Sequence, residues 1–167
     1  MIYIFRGKAA TGKTTLAKAC NDQKGIPVIS KDTFFDDLLL KGLSWKDANQ
    51  VAYDTLADRI QAFHDLGHDL IVDIGLSHRP FFRNFLSKMK LEDVKYFLFD
   101  CEDKVWQERM RRRIEHPQGP NQTFKSVTEA KEHYLKYDIN PIENEICLEG
   151  SRPLHELVDL VMKVNLT

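Results

Sequence analysis

The stretch Gly7-Lys8-Ala9-Ala10-Thr11-Gly12-Lys13-Thr14 follows the apolar run Ile2–Phe5 and leads directly into Thr15-Leu16-Ala17-Lys18-Ala19. A strand, a glycine-rich loop and a helix in this order are the context that a phosphate-binding P-loop requires. Glycines let the backbone turn so that several N–H groups point inward, and the start of the helix adds the positive end of its dipole. A glycine-rich turn could match by chance, but the motif fixes several positions and both flanking segments fit it. The stretch therefore predicts binding of a nucleoside triphosphate.

Two side chains of this loop have predicted chemical roles. Lys13 would reach the β- and γ-phosphates, and the Thr14 hydroxyl would ligate Mg²⁺. Lys13 is therefore a candidate catalytic residue as well as a binding residue. The other positions predicted to hold the nucleotide in this segment are Gly7, Ala10, Thr11, Gly12 and Thr15.

The composition limits the class of protein. The chain has 167 residues, which suits a single domain over residues 1–167 with its own core. Hydrophobic residues make up 43% and charged residues 29%, as in soluble globular proteins, and the net charge of −1 gives no sign of a nucleic-acid or membrane surface. Three cysteines without CxxC spacing indicate reduced thiols, and neither a signal peptide nor a membrane span is evident. We therefore expect a cytoplasmic protein.

Apolar runs alternate with helical patterns along the chain. The predicted strands are Ile2–Phe5, Pro27–Ile29, Leu70–Val72, Tyr96–Phe99 and Glu145–Leu148. The predicted helices are Thr14–Asn21, Thr33–Leu40, Ser44–Leu66, Pro80–Met89, Lys104–Ile114, Thr128–Tyr137 and Pro153–Val164. Gly67 is typical of a left-handed helix end. This alternation predicts an α/β fold, a parallel sheet with helices on both faces, whose ligands bind at the carboxyl ends of the strands.

Acidic residues follow two of these strands. Asp32 comes after the second strand, where its carboxylate could accept the proton of an attacking hydroxyl. Asp32 could equally be the N-cap of the helix Thr33–Leu40. Asp73 ends the third strand, at the Walker B position, where it would hold Mg²⁺ through water or contact the acceptor. The alternative for Asp73 is a polar strand end without a function.

The loop after the third strand continues over the same edge of the sheet. Ser77 could cap the helix that starts near Pro80. His78 and Arg79 could face the acceptor, so Arg79 joins Asp32 and Asp73 as a candidate substrate-binding residue.

Two arginines of the helix that follows the fourth strand are candidates for contact with phosphate. Arg109 and Arg113 lie four residues apart and share a helix face. Planar guanidinium groups suit the oxygens of a transferring phosphoryl group. The segment runs into turn-forming residues over 115–121, which indicates a mobile lid at approximately 109–127. The alternative is a solvated basic helix face paired with glutamates.

Two further features have weaker functional interpretations. The turn after the fifth strand could hold a nucleotide base, with Arg152 as a flat guanidinium, or it could be an ordinary strand-to-helix loop. His64 and His68 have the spacing of a metal pair, but Gly67 lies between them and no third ligand is evident. We therefore do not expect a metal site there.

Taken together, these positions resemble the small P-loop kinases. The resemblance is to the branch with the polynucleotide 5′-kinase domain, chloramphenicol phosphotransferase and zeta-toxin-like kinases, and it covers nearly the whole chain. It is carried by Gly7–Thr14, by Lys31-Asp32, by Asp73 and by Glu108-Arg109 with Arg113. It implies ATP with Mg²⁺, a three-layer P-loop NTPase fold and a five-stranded parallel sheet in the order 2-3-1-4-5.

The resemblance also implies roles for the polar residues. Asp32 would be the general base, Asp73 would help to bind metal or acceptor, and Arg109 and Arg113 would stabilise the phosphoryl group from the lid. Ile74-Gly75 replaces the polar pair that often follows the third strand in these relatives, which argues against a polynucleotide 5′-kinase. The short acceptor-binding segment suits a small molecule.

Two functions from different classes remain open at this stage. One is an ATP-dependent kinase that phosphorylates a hydroxyl of a small acceptor, and the other is an ATP-binding regulatory module that hydrolyses slowly or not at all. A GTPase would carry Asn-Lys-x-Asp after the fourth strand, where this chain has Phe99-Asp100-Cys101-Glu102. Nucleosides, nucleotides, antibiotics, sugars and activated sugars all remain possible acceptors, and the sequence gives no oligomeric state.

Overall fold

A computed structural model describes residues 1–76 and 78–163. Its five strands are β1 (Ile2–Gly7), β2 (Val28–Ser30), β3 (Leu70–Asp73), β4 (Val94–Asp100) and β5 (Glu145–Glu149). They form one sheet in the order β2-β3-β1-β4-β5, and every pairing is parallel. The predicted sheet and its order are confirmed. The second strand begins one residue later than expected, because Pro27 has no N–H to donate and contributes only its carbonyl, to Ile71.

Helices connect the strands and cover the sheet. They are α1 (Lys13–Lys24), α2 (Lys31–Leu40), α3 (Trp45–Asp65), α4 (Arg79–Leu86), α5 (Asp103–Glu115), α6 (Val127–Leu135) and α7 (Leu154–Lys163). The left-handed end of α3 at Gly67 is confirmed, with φ 68° and a bond from its N–H to the carbonyl of His64. The predicted cap Ser77 and the predicted helix end Val164 lie outside the described residues.

Two helices differ from the predicted bounds for local reasons. The N-cap of α2 is Ser30, whose Oγ accepts the N–H of Asp32 at 3.3 Å, so the interpretation of Asp32 as the cap is wrong. Asp32 is instead the second residue of the helix. Helix α4 ends at Leu86 rather than Met89, because the N–H groups of Lys88 and Met89 bond three residues back, to the carbonyls of Phe85 and Leu86, in a tight turn.

Alternate residues of β1 point to opposite faces and build two cores. Tyr3 and Phe5 pack with residues of α1 and α7. Ile2 and Ile4 pack on the other face with residues of α3 and α4. Successive strand side chains alternate in this way, so the central strand is buried on both faces and the molecule has three layers.

Arg6 is buried in the centre of the sheet. The sequence interpretation ended the first strand before this charge, but the strand continues to Gly7 and the Arg6 side chain is fully buried. Its Nε and Nη2 donate to the carboxylate of Glu145 at 2.7 and 2.6 Å, and Nη2 also donates to the carbonyl of Asn140. The guanidinium lies 4.9 Å from the ring centre of Phe82. A buried charge is tolerated when it is paired in this way, which is why the strand can contain it.

None of the helices in the described part of the chain combines the length and the apolar character needed to cross a bilayer. Within residues 1–76 and 78–163, His, Cys, Asp and Glu side chains form no group of three that could hold a metal ion.

Candidate active site

The P-loop lies at the carboxyl edge of the sheet, between β1 and α1. The Lys13 side chain turns back into the loop, and its Nζ donates to the carbonyls of Gly7 and Lys8 at 3.0 and 2.6 Å. Lys13 is only 7% exposed, and burial lowers the pKa of its ammonium, with Asp73 and Asp32 opposing that effect. Gly7 has φ 142°, and a Cβ there would lie 2.3 Å from the carbonyl oxygen of Phe99, so this position requires glycine.

Residues distant in sequence brace the outer side of this loop. Tyr134 of α6 accepts the N–H of Ala9 at 2.9 Å, and the indole N–H of Trp106 in α5 donates to the carbonyl of Ala9 at 2.9 Å. Inside the loop, the Thr11 hydroxyl donates to the carbonyl of Lys8. Sequence reasoning missed Trp106 and Tyr134, because nothing in their local pattern indicates contact with a loop about a hundred residues away.

Thr14 and Asp73 meet at the base of the loop. The Thr14 hydroxyl donates to the Asp73 carboxylate at 2.5 Å, and Asp73 is 6% exposed. Burial raises the pKa of Asp73, while the nearby Lys13 ammonium lowers it. A hydroxyl and a carboxylate beside a phosphate-binding loop are oxygen donors of the type that Mg²⁺ takes, so the residues present fit a nucleotide with its magnesium ion.

Asp32 lies at the same edge. In the β2–β3 ladder Ser30 is the partner of Asp73, and Asp32 follows two residues later in the first turn of α2. Its carboxylate is 45% exposed and acts electrostatically on both Lys13 and Asp73. The structure therefore brings Lys13, Thr14, Asp32 and Asp73 together, as the sequence predicted.

Lys31 was quoted in the sequence only as a neighbour of Asp32, but it is a buried part of the site. Its Nζ lies 3.6 Å from the Asp32 carboxylate, 3.4 Å from Oδ1 of Asn49 and 3.9 Å from the ring centre of Phe35. The ring of Tyr53 lies 5.3 Å away. Burial lowers the pKa of Lys31, and Asp32 opposes the shift. The helix N-terminus disfavours a cation, so this lysine occupies a costly position.

The two predicted lid arginines are placed differently. Arg113 is half-buried and acts electrostatically on Lys13, Asp73 and Asp36, so it lies near the acidic edge. Arg109 donates from Nη1 to the carbonyls of Thr11 and Gly150 at 3.4 and 2.9 Å. In this structure Arg109 therefore joins the P-loop to the turn after β5, and its contact with the γ-phosphate stays a prediction.

The other basic residues of α5 face solvent. Arg111 and Arg112 both pair with Glu108 at the surface.

The segment between α5 and α6 lies on α2. The N–H of Asn121 donates to Oδ1 of Asp36 at 3.1 Å, and a Cβ on Gly119 would lie 2.3 Å from Oδ2 of the same carboxylate. Burial raises the pKa of Asp36, and the bond from Asn121 opposes this. The predicted lid region thus contacts the helix that carries Asp32.

Two predicted binding arginines already have carboxylate partners. Arg79 forms an ion pair with Asp138, and its N–H donates to the carbonyl of that residue. Arg152 pairs with Glu156 one turn later, at the surface. The guanidinium that contacts the turn after β5 is that of Arg109. The roles of Arg79 in acceptor binding and of Arg152 in base binding stay predictions.

A cavity of about 440 Å³ opens beside this edge. Its walls come from α3, α4, α6 and the loop after β3, and Tyr53 connects it to Lys31. The lining residues are Asn49, Gln50, Tyr53, Gly75, Leu76, His78, Phe81, Asn84, Phe85, Lys88, His133 and Tyr137. Of these, His78 was singled out from the sequence as a residue that could face the acceptor, and Phe81 and Phe85 belong to a group of phenylalanines that the sequence indicates as core or pocket wall. Most of the others come from helix faces that local pattern assigns only to packing or solvent.

The sheet order and the loop after the central strand define the class of protein: the chain has the fold of the small P-loop kinases. Residues 2–135 match the family model AAA_33, described as an AAA domain. That match covers most of the chain, and the protein belongs to this family. None of the curated proteins compared with the chain matches it at a significant level.

Three solved structures illustrate the shared fold. A sugar kinase from Janibacter sp. HTCC2649 has a TM-score of 0.70 at 21% identity, with 97% of this chain and 92% of that chain covered. A gluconokinase from Sinorhizobium meliloti 1021 has 0.69 at 15% identity, covering 98% and 94%. A shikimate kinase from Aquifex aeolicus VF5 has 0.51 at 17% identity, covering 99% and 96%. At these identities the likeness establishes the fold alone.

Proposed function

We propose that this protein is an ATP-dependent phosphotransferase that moves the γ-phosphate of ATP to a hydroxyl of a small-molecule acceptor. The observation that carries the proposal is the convergence of Lys13, Thr14, Asp73 and Asp32 at one edge of the sheet, beside a cavity of about 440 Å³. A partly exposed carboxylate next to a cavity of this size favours an enzyme with a second substrate over a protein that only binds nucleotide.

The chain's own residues divide the work in the proposed reaction. The P-loop N–H groups and the Lys13 ammonium hold the phosphates, and Thr14 with Asp73 would hold the magnesium ion. The ion, when bound, neutralises charge on the phosphate oxygens. Phosphoryl transfer depends mainly on positioning and electrostatic stabilisation, so a fixed arrangement of these groups provides most of the catalysis.

Asp32 is proposed as the general base. Its carboxylate would orient the acceptor hydroxyl and accept its proton as the oxygen attacks the γ-phosphorus in line with the leaving group. Its carboxylate lies in the first turn of α2, at the positive end of the helix dipole. Lys31, 3.6 Å away, adds a second positive charge.

Arg113 and the segment 109–127 are proposed as a lid. Arg113 lies near Lys13 and Asp73, where a guanidinium could contact the transferring phosphoryl group. The bond from the Asn121 N–H to Asp36 of α2 supports this proposal, because a lid that closes against α2 would exclude water from the site.

The test is release of ADP with Mg²⁺ across a panel of nucleosides, sugars and antibiotic-type alcohols. Stimulation by one class of acceptor is expected for the wild type, with loss of at least about 100-fold in Asp32→Asn while ATP binding survives. Asp37→Asn is the matched control, since Asp37 is exposed on the same helix. Equal turnover in the wild type and Asp32→Asn would contradict the role of Asp32. Tight ATP binding without stimulation by any acceptor would favour a regulatory module instead.

A further inference from the structure

The cavity beside Asp32 is polar but its polar groups are mostly uncharged. Asn49, Gln50 and Asn84 contribute amides, and Tyr53 and Tyr137 contribute hydroxyls. Amides and hydroxyls both donate and accept hydrogen bonds, so they match the hydroxyl groups of an uncharged molecule. No Asp or Glu is among the lining residues, all of which belong to the described part of the chain.

Three cations in or beside the cavity wall have carboxylate partners. The pairs are Lys88 with Asp54 at 2.7 Å, Arg79 with Asp138, and Lys31 with Asp32 at 3.6 Å. Lys88 is the one Lys or Arg among the lining residues. A carboxylate or phosphate group on the acceptor that reaches the only cation of the lining would therefore have to displace Asp54 from Lys88.

The wall also contains two imidazoles. Burial lowers the pKa of His133, and Lys136 lowers it further, so its neutral form is favoured. His78 is held by the backbone of Asp138, whose N–H donates to Nδ1 at 3.1 Å.

Aromatic rings form the apolar part of the same wall. His78 contacts Phe81 edge-on at 4.6 Å between ring centres and lies 5.1 Å from Tyr137, which in turn lies 4.8 Å from His133. Ring edges and faces of this kind pack against the C–H faces of a sugar or an alicyclic ring. A volume of about 440 Å³ suits one monosaccharide or nucleoside.

We infer that the acceptor is an uncharged polyhydroxylated ring compound, and that acceptors bearing a carboxylate or a phosphate are rejected. The inference rests on the proposed function, because it assigns the cavity to the acceptor. The inference concerns which acceptors the site selects, and it can be tested by changing the ion pair Lys88–Asp54.

The experiment measures transfer of labelled γ-phosphate to matched pairs at pH 7.5: glucose against gluconate and glucose 6-phosphate, and uridine against uridine 5′-monophosphate. For whichever set of compounds reacts, we expect kcat/KM to be at least about 10-fold higher for the neutral compound than for its anionic counterpart. This difference corresponds to a loss of about 1.4 kcal/mol of transition-state binding for the anion. Preference for the anionic member would overturn the inference and leave the kinase proposal standing. Transfer to none of these compounds together with phosphorylation of an antibiotic-type alcohol would overturn the inference and leave the kinase proposal standing. Transfer to no acceptor of either panel would overturn both.

A variant tests the cause of the preference. Asp54→Asn removes the partner of Lys88, so kcat/KM for the anionic member should rise several-fold while the neutral member changes by less than about 2-fold. Asp58→Asn, at an exposed position one turn along α3, is the matched control and should change neither. An equal change for both members in Asp54→Asn would show that the pair does not control charge selection.

Discussion

Substitution of Gly150 by alanine should damage the P-loop from outside the motif. Gly150 lies in the turn between β5 and α7, where its N–H donates to the carbonyl of Asp100 at 2.7 Å. A Cβ on Gly150 would lie 2.0 Å from the carbonyl oxygen of Thr11 in the P-loop. Ordinary contact begins at 3.4 Å, so the turn and the loop must separate by 3.4 − 2.0 = 1.4 Å.

The expected losses of nucleotide affinity and of stability follow from a displacement of this size. Misplacement of a binding group by about 1 Å can cost about 100-fold, so nucleotide affinity should fall by roughly 10- to 100-fold. Overpacking of this kind destabilises proteins by about 1–3 kcal/mol, which corresponds to a decrease in Tm of about 2–4 °C for each kcal/mol in a chain of this length. The Arg109 bond to the carbonyl of Gly150 should weaken as well, since its acceptor moves.

The assay is calorimetric titration of a non-hydrolysable ATP analogue with Mg²⁺, well below the Tm of the variant, together with thermal unfolding. Gly75→Ala is the matched control, because a Cβ at Gly75 has no neighbour within 4 Å in a loop at the same edge. It should change the affinity by less than about 2-fold. Wild-type affinity and an unchanged Tm in Gly150→Ala would refute the steric reasoning.

Three further predictions concern stability and the lid. Glu145→Ala removes the carboxylate partner of the buried Arg6, so urea unfolding should show a loss of about 3–5 kcal/mol, and a loss below about 1 kcal/mol would contradict the importance of the pair. Lys31→Met removes a buried ammonium and leaves the Asp32 carboxylate, 45% exposed, in contact with water, so it should stabilise the fold by roughly 1 kcal/mol at pH 7 while lowering transfer activity. Burial lowers the pKa of Lys31 in the folded state, so the unfolded chain binds its proton more tightly and the wild type gains stability as the pH rises toward 10.5. The advantage of Lys31→Met should therefore shrink in that range, and an equal advantage at pH 7 and pH 10 would exclude burial of the charge as its cause. Asp36→Ala should speed hydrogen exchange of the Asn121 amide about 5-fold, since one hydrogen bond contributes about 1 kcal/mol, and the exposed neighbour Asp37→Ala should leave it unchanged.

The features predicted correctly were those encoded by local pattern. Apolar runs and helical periodicity located every strand and helix to within a few residues, because burial of one face requires that spacing. The P-loop could be identified because its backbone geometry needs particular residues within eight positions. The sheet order came from the resemblance, and the meeting of Asp32 with Asp73 followed from the parallel arrangement of their strands.

The features that were missed depend on contacts between segments far apart. Arg109 reaches Thr11 across 98 positions, and Asn121 reaches Asp36 across 85. Local periodicity does not record such partners, so the burial of Lys31 and of Arg6 was not predicted. The cavity proposed for the acceptor combines side chains from four segments, and its chemistry depends on which cations are already paired.

The pair of Arg6 with Glu145 has a consequence for synthesis of the chain. These residues are 139 positions apart, yet Arg6 precedes the P-loop by one residue in the strand that the whole sheet is built around. While a nascent chain is still shorter than this span, the guanidinium does not yet have the Glu145 carboxylate to accompany it into the interior. The P-loop end of the molecule, although made first, is therefore expected to acquire its final structure only after residue 145 has left the ribosome, so that a bound nucleotide cannot stabilise a half-made chain.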